Sequence, residues 1–398
     1  MAYSRTNQRD SGIVVRTVSA IVFLTFTFLW LFSFQSDVLA YAQHVFSDGQ
    51  THYNRFVGTL LITVVLWLLQ LGVYAFLRLR NHYHALTYYP SMVLLALLGA
   101  VCPTPDGPST VKWWWIVLLL LATAVWAFAV WAARVMSEFE HKKQPTFFST
   151  SMWVNLLILA VLMVFVAIAA DTSAVFHYRT RMETCLADHR FDDAMNVGSE
   201  SLETDASLTM LRAYTLSRQG QLADRLFQYP IAGTGADLVP LDSSRSRLLR
   251  YPQDSLYRHL GAIPRPGMTT AAYLSRLERY GQATPAVRDY VLCGLLIDRN
   301  LDAFARALPR YYEVSDTLAQ SGEAGRGSLP RHYREALTLY THLRTHPVLV
   351  YRDAVMDEDY ADLQELEAQY TDPRERHIRV KEKYHGSYWY YYEYEVRE

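Results

Sequence analysis

The sequence predicts an all-α protein in two parts: a five-helix transmembrane bundle, then a soluble helical domain of tetratricopeptide-like, helical-hairpin type. Three observations carry this. Apolar residues concentrate before about residue 170, most acidic residues and arginines follow it, and the later half shows helical spacing with no clear strand alternation until its extreme end. The chain therefore divides into a transmembrane domain over 1–170, a helical domain over 171–385 and an aromatic tail over 386–398.

A helix needs roughly 20 apolar residues to cross a bilayer, because each residue rises about 1.5 Å and the backbone must satisfy its own polar groups. Spans are expected near 13–34, 56–77, 85–101, 113–133 and 147–170. The third is short and carries Pro90 near its start, so a re-entrant or tilted segment is the alternative there. The first apolar stretch is too long for a cleavable signal peptide and is expected to remain as an anchor.

Orientation follows from the positive charges, which are in excess on cytoplasmic flanks. On a five-span path Arg5, Arg9, Arg16, Arg78, Arg80, Arg134, Lys142 and Lys143 fall on one side, against Arg55, Lys112, Arg179 and Arg181 on the other. The amino terminus is thus expected in the cytoplasm and the carboxy-terminal half outside it. Trp113, Trp114 and Trp115 beside Lys112 read as an interfacial belt. Carriers and pumps place ionisable residues in mid-span, and these span interiors lack them. Arg16 lies near a span end and can snorkel, while Gln70 and Asn155 read as helix-joining hydrogen-bonders.

A formal net charge of −1 argues against a nucleic-acid partner, which requires a strongly basic face. Cys102, Cys185 and Cys293 are too few for a disulfide framework and lack the close pairing of a zinc site, so no metal or cofactor is expected. His342 and His346 have a metal-compatible helical spacing, but with Pro347 following and no carboxylate on that face they read as a solvated helix end.

In the soluble half, Tyr333, Leu337, Tyr340 and Leu343 form one apolar stripe along a helix over 330–344. Thr284–Pro285 and Asp372–Pro373, the latter with Glu375, read as helix starts. A turn-and-helix cadence recurs at 188–194, 219–224 and 299–303. Ala213, Gly220, Leu226 and Phe227 suit a tetratricopeptide-type hairpin, whereas Arg225 and Phe304 replace the small residue that Ala194 supplies. Residues 230–270, with Gly233-Thr234-Gly235 and Pro264-Arg265-Pro266-Gly267, form an irregular excursion, either a functional loop or a plain connector. No strand precedes its glycines and no Gly-Lys-Ser/Thr follows, so it is no phosphate cradle.

The tail, Tyr388, Trp389, Tyr390, Tyr391 and Tyr392 after Gly386, is the candidate binding feature. Extended, it would send alternate rings to opposite faces, and it either packs into a groove of its own domain or docks on a partner or membrane. No hydrolase, zinc-protease or Walker motif is present. One enzyme reading rests on Asp37 and Asp48 in the first extracytoplasmic loop, beside Gln43 and His44, where a carboxylate could act as a base toward an acceptor or hold a divalent cation in an enzyme acting on a lipid-linked substrate, as in multi-span glycosyltransferases.

The stretches Asp37-Val-Leu-Ala-Tyr-Ala-Gln-His-Val-Phe46, His84-Ala-Leu-Thr-Tyr-Tyr-Pro-Ser91, Gly220-Gln-Leu-Ala-Asp224, Leu329-Pro-Arg-His-Tyr-Arg-Glu-Ala336 and Gly386-Ser-Tyr-Trp-Tyr-Tyr-Tyr392 together resemble a family of multi-span membrane proteins of unknown function from Gram-negative gut and oral bacteria. The resemblance implies an inner-membrane protein with a periplasmic soluble half and transfers no catalytic residue. In that compartment Cys185 and Cys293 could form a disulfide. The expected function is that of a membrane-anchored scaffold, with the bilayer and another envelope protein as partners.

Overall fold

The computed structural model describes residues 2–47, 49–51, 53–100, 113–139, 150–169, 174–314 and 329–395. These residues form helices and connections, with no strand among them. They divide into two compact units, Met1–Ser173 and Ala174–Glu398.

The first unit contains α1 (Ala2–Ser33), α2 (Ser36–Phe46), α3 (Arg55–Leu77), a 3-10 segment (Asn81–Tyr88), α4 (Tyr89–Ala100), α5 (Trp113–Phe139) and α6 (Thr150–Ala169). Four helices among the described residues are long and apolar enough to cross a membrane, at Gly12–Ser33, Arg55–Leu77, Ile116–Val135 and Thr150–Ala169. The expected third span takes another form. Its helical part, α4, has 12 residues, about 18 Å of rise and too little for a bilayer by itself. The eight residues before it wind as a 3-10 segment with a break at Tyr83. Asn155 is the cause: its Nδ2 donates to the carbonyls of Asn81 and His82 at 2.9 and 3.0 Å, and its Oδ1 accepts the Ala85 N–H at 2.7 Å. Pro90 then falls in the first turn of α4, where its missing N–H costs nothing.

Side-chain hydrogen bonds fix the direction of each helix. Arg55 at the start of α3 donates to Phe32 O near the end of α1, so these two are antiparallel. Gln70 meets Thr87 and Ser91 meets Leu66 O, so α4 returns against α3. Trp126 donates to Leu86 O, Tyr89 meets Thr123, and Arg134 donates to Leu77 O. Hence α5 runs parallel to α3 and against α4, while Asn155 sets the start of α6 beside the 3-10 segment.

The second unit contains α7 (Ala174–Ala187), α8 (Phe191–Asn196), α9 (Ala206–Arg218), α10 (Leu222–Arg225), α11 (Gln253–Leu260), α12 (Thr270–Arg279), α13 (Ala286–Ile297), α14 (Leu301–Ala307), α15 (Arg331–Leu343), α16 (Ala354–Gln369), α17 (Pro373–Tyr384) and α18 (Tyr388–Tyr394). The recurring cadence is a real backbone motif. His189, Gly220 and Arg299 all have positive φ, at 58°, 69° and 55°. Each donates its N–H three residues back while the next residue donates five back: Arg190 to Cys185, Gln221 to Leu216, and Asn300 to Leu295. This is the Schellman turn, which satisfies the orphan carbonyls of a helix end. The helices that follow have only 6, 4 and 7 residues. Helical hairpins are therefore present, without three regular tetratricopeptide repeats.

Asp372 caps α17 as expected, accepting the Arg374 N–H. Thr284 does not cap α13; its hydroxyl donates to His259 O instead. On α15, Tyr333, Leu337 and Tyr340 are buried, whereas Leu343 at the helix end is turned outward.

Candidate functional site

The expected binding residues of the tail form a helix, not a strand. Gly386, at φ 89°, brings the chain against the Gln228 backbone, with space for a Cβ only 3.3 Å from Gln228 Cα. Ser387 then caps α18 by accepting the Tyr390 N–H. Tyr388, Trp389, Tyr390 and Tyr391 are buried and Tyr392 is half-buried. A seven-residue helix places residues three and four apart on one side, so rings that a strand would split converge on the domain core.

Both ends of α18 are held by charge of the favourable sign. At its start, the buried Glu335 carboxylate accepts the Tyr388 N–H at 2.7 Å, together with Arg331 Nε at 2.8 Å and His332 Nδ1 at 2.9 Å. Burial pushes this carboxyl up, but the His332 and Arg331 contacts and the Tyr388 N–H outweigh it and hold Glu335 below the usual range. At the far end, Arg299 donates to the carbonyls of Tyr391 and Glu395 and lies over the Tyr391 ring. A carboxylate at a helix start and a guanidinium at its end both oppose the helix dipole. The hydroxyls of Tyr388 and Tyr391 donate to Leu296 O and Ile297 O at the end of α13, the first of which also accepts the Arg299 N–H, and Trp389 Nε1 donates to Glu335 O. The tail is thus a component of the fold.

The excursion is clasped in the same manner. Buried Glu183 accepts three successive N–H groups, from Leu249, Arg250 and Tyr251. Burial raises its pKa against the pull of those donors and of Arg179. Asp237 gathers the N–H groups of Thr234 and Arg245, and Gly235 lies so close to α13 that a Cβ there would sit 2.5 Å from Gly294 O. Arg212 is buried on the carbonyls of Gly198 and Pro230, and burial lowers its pKa to about 10 despite the nearby Tyr229 and Asp205. These ionisable groups serve shape. Sequence reading missed them, although Arg179 and Glu183, four apart on a helix face shared with buried Phe176 and Leu186, carry the signal of charge on a core side.

Cys185 and Cys293 are free, buried thiols, so the disulfide that the resemblance allowed is not formed. The Cys293 Sγ lies 3.6 Å from Tyr333 Oη, and burial pushes its pKa far up, which makes it unreactive. Asp37 stands in the first turn of α2, where the helix dipole favours a carboxylate; Asp48 lies outside the described residues. No group of three or more His, Cys, Asp or Glu side chains that could hold a metal exists among the described residues, and His342 instead faces Asp357 at 3.6 Å.

Part of what the unit leaves open is apolar. Val348 is 76% exposed, Val350 49% and Val355 62%, and with Leu343 they cluster along the connection from α15 to α16. Leu349, between the two valines, packs inward against the core and fixes the connection.

Residues 268–395 match a family model described as a family of unknown function (DUF6057), which spans α12 to α18 and so includes the Glu335 clasp, the exposed valines and the tail. No curated protein and no solved structure matches the chain.

Proposed function

We propose that the chain is a membrane-anchored scaffold of the cell envelope whose helical unit stands outside the cytoplasm and offers the 343–355 surface to another envelope protein. The observation that carries this reading is that cluster of exposed valines. A domain that commits its buried charges and its aromatic tail to its own core still leaves several large apolar side chains of one connection in water, and exposed apolar surface rimmed by polar residues is characteristic of interaction sites.

The orientation is supported by the antiparallel order of the helices and by charge. Because α3 and α5 run the same way, the chain between them must travel back, and Asn81–Ala100 runs in that direction. Five alternating passes leave Arg16, Arg78 and Arg134 at one end, the cytoplasmic one by the positive-inside rule.

Photo-crosslinking in cells from probes at Val348 and Val350, with Leu202 as an equally exposed control, tests the scaffold reading. One reproducible envelope protein recovered from both valine probes, absent at Leu202 and lost in Val355→Asp, is the expected result. Recovery of lipid alone, or the same products at all three positions, removes the basis for it.

A further inference from the structure

Partway along α1, beside the last turn of α3, the first unit holds a guanidinium built into position. Arg16 donates to Asn81 Oδ1 through Nε at 3.2 Å and Nη2 at 3.0 Å, and its Cζ lies 4.7 Å from the centre of the Tyr74 ring. No carboxylate pairs with it among the described residues. The same Tyr74 ring takes the edge of His84, at 4.9 Å between centroids, and His84 is buried with its Nδ1 unpartnered.

Each part of this arrangement is fixed from behind. Asn81 is gripped through its carbonyl by Asn155. It can approach α1 only because residue 12 is glycine: a Cβ there would stand 2.3 Å from Asn81 Nδ2. The His84 carbonyl accepts the Thr87 hydroxyl, itself the acceptor for Gln70. With Nε and one edge of Nη2 committed, Arg16 keeps its Nη1 donors in a set direction, the fork that suits a phosphate. A cation next to a low-dielectric bundle, lacking a protein anion, is satisfied by an anion from outside, and basic clefts between membrane helices take lipid headgroups in this way.

We infer that Arg16, positioned by Asn81, Tyr74 and Gly12, forms a binding site for a phosphate group, contributed by the headgroup of an anionic phospholipid or by a soluble phosphate ester. The Nη1 donors of Arg16 take the phosphate oxygens. This assignment does not depend on which way the bundle faces, because both leaflets carry phosphate.

The test uses the full chain in nanodiscs of phosphatidylcholine, with and without phosphatidylglycerol, read by native mass spectrometry of retained lipid and by melting temperature. Selective retention of phosphatidylglycerol with a raised melting temperature is expected. Arg16→Gln should weaken retention about tenfold, the value of one charge-assisted hydrogen bond. Gly12→Ala should weaken it too, although it removes no charge, by displacing the Asn81 amide. Arg55→Gln removes an equal charge at the opposite end and should leave retention unchanged. Equal loss in Arg55→Gln and Arg16→Gln, or equal retention of both lipids by the parent chain, overturns the proposal. Displacement of phosphatidylglycerol by inorganic phosphate supports the site and assigns it to soluble phosphate esters; resistance to displacement supports it and assigns it to lipid.

Discussion

Irregular backbone has to be held in both units, and the two hold it with different chemistry. Around the 3-10 segment the work falls to neutral groups: Asn155 spans Asn81, His82 and Ala85, and Gln70 reaches Thr87. In the second unit it falls to carboxylates, with Glu183 on the 249–251 turn and Glu335 on the start of α18. A carboxylate accepts several N–H groups at once and each bond is stronger for its charge, but the charge is too costly in a bilayer interior. The difference teaches that solvent selects the clasp: a carboxamide where water is absent, a carboxylate where water can reach the unfolded chain.

The largest effect should come from removing what the strongest clasp holds. Deleting residues 387–398 exposes the pockets of four buried rings, worth roughly 2 kcal/mol each, and reopens the end of α13. The melting temperature of the second unit should collapse, whereas an unaltered melt would show that α18 is an accessory. Next comes Glu183→Ala, which strands three backbone donors in the core at a cost of about 3 kcal/mol. Hydrogen exchange at Leu249, Arg250 and Tyr251 should accelerate while α13 stays protected; uniform acceleration would make the excursion part of one cooperative core.

Much of this architecture is legible in the sequence, and the misreadings share a physical cause. The four long apolar helices follow from hydropathy because a bilayer leaves few alternatives. The hairpin cadence at His189, Gly220 and Arg299 is visible because turn chemistry is local. The form of the 81–100 segment and that of the tail depend on residues far away in the chain. Asn155 is about 70 positions from the segment it bends, and Glu335 is 53 from Tyr388. No periodicity within residues 85–101 or 388–394 announces either partner. The Arg16 site was hidden similarly, since a snorkelling arginine and a binding arginine look alike until Gly12, Tyr74 and Asn81 are seen around one of them.

If solvent selects the clasp, the membrane member should be weaker to delete. Asn155→Leu should cost about 1–2 kcal/mol in a bicelle unfolding assay, the upper part of the range for bonds between membrane helices, because four contacts are lost together. A cost equal to that of Glu183→Ala would erase the contrast. The carboxylate side also predicts a response to pH. Partial desolvation, with the Glu367 charge and hydrogen bond beside it, raises the outward-lying Glu393 at the end of α18 to about 7. A carboxyl raised on folding holds its proton more tightly in the native state, so its contribution to stability is greatest below the unfolded value and is lost as pH climbs through about 7. Ionisation of Glu393 should therefore loosen the tail between about pH 4.5 and pH 7, and Glu393→Gln should flatten that part of the melting profile.

The smallest expected change concerns the turns that both the sequence and the structure repeat. Of the three Schellman positions in the repeated cadence, Gly220 meets its positive φ without steric cost, Arg299 meets it while capping α18, and His189 gains only a loose contact with Phe191 at 6.2 Å. A side chain in the left-handed region costs roughly 1 kcal/mol, and glycine returns part of that gain as lost chain entropy. His189→Gly should thus stabilise the second unit by about 0.5 kcal/mol. Arg299→Gly should destabilise it, since relief of the same strain is outweighed by loss of the contacts to Tyr391 and Glu395. Paired melting curves decide the matter: opposite signs mean that Arg299 occupies its turn to hold the tail, and equal signs mean that the turn alone sets its energy.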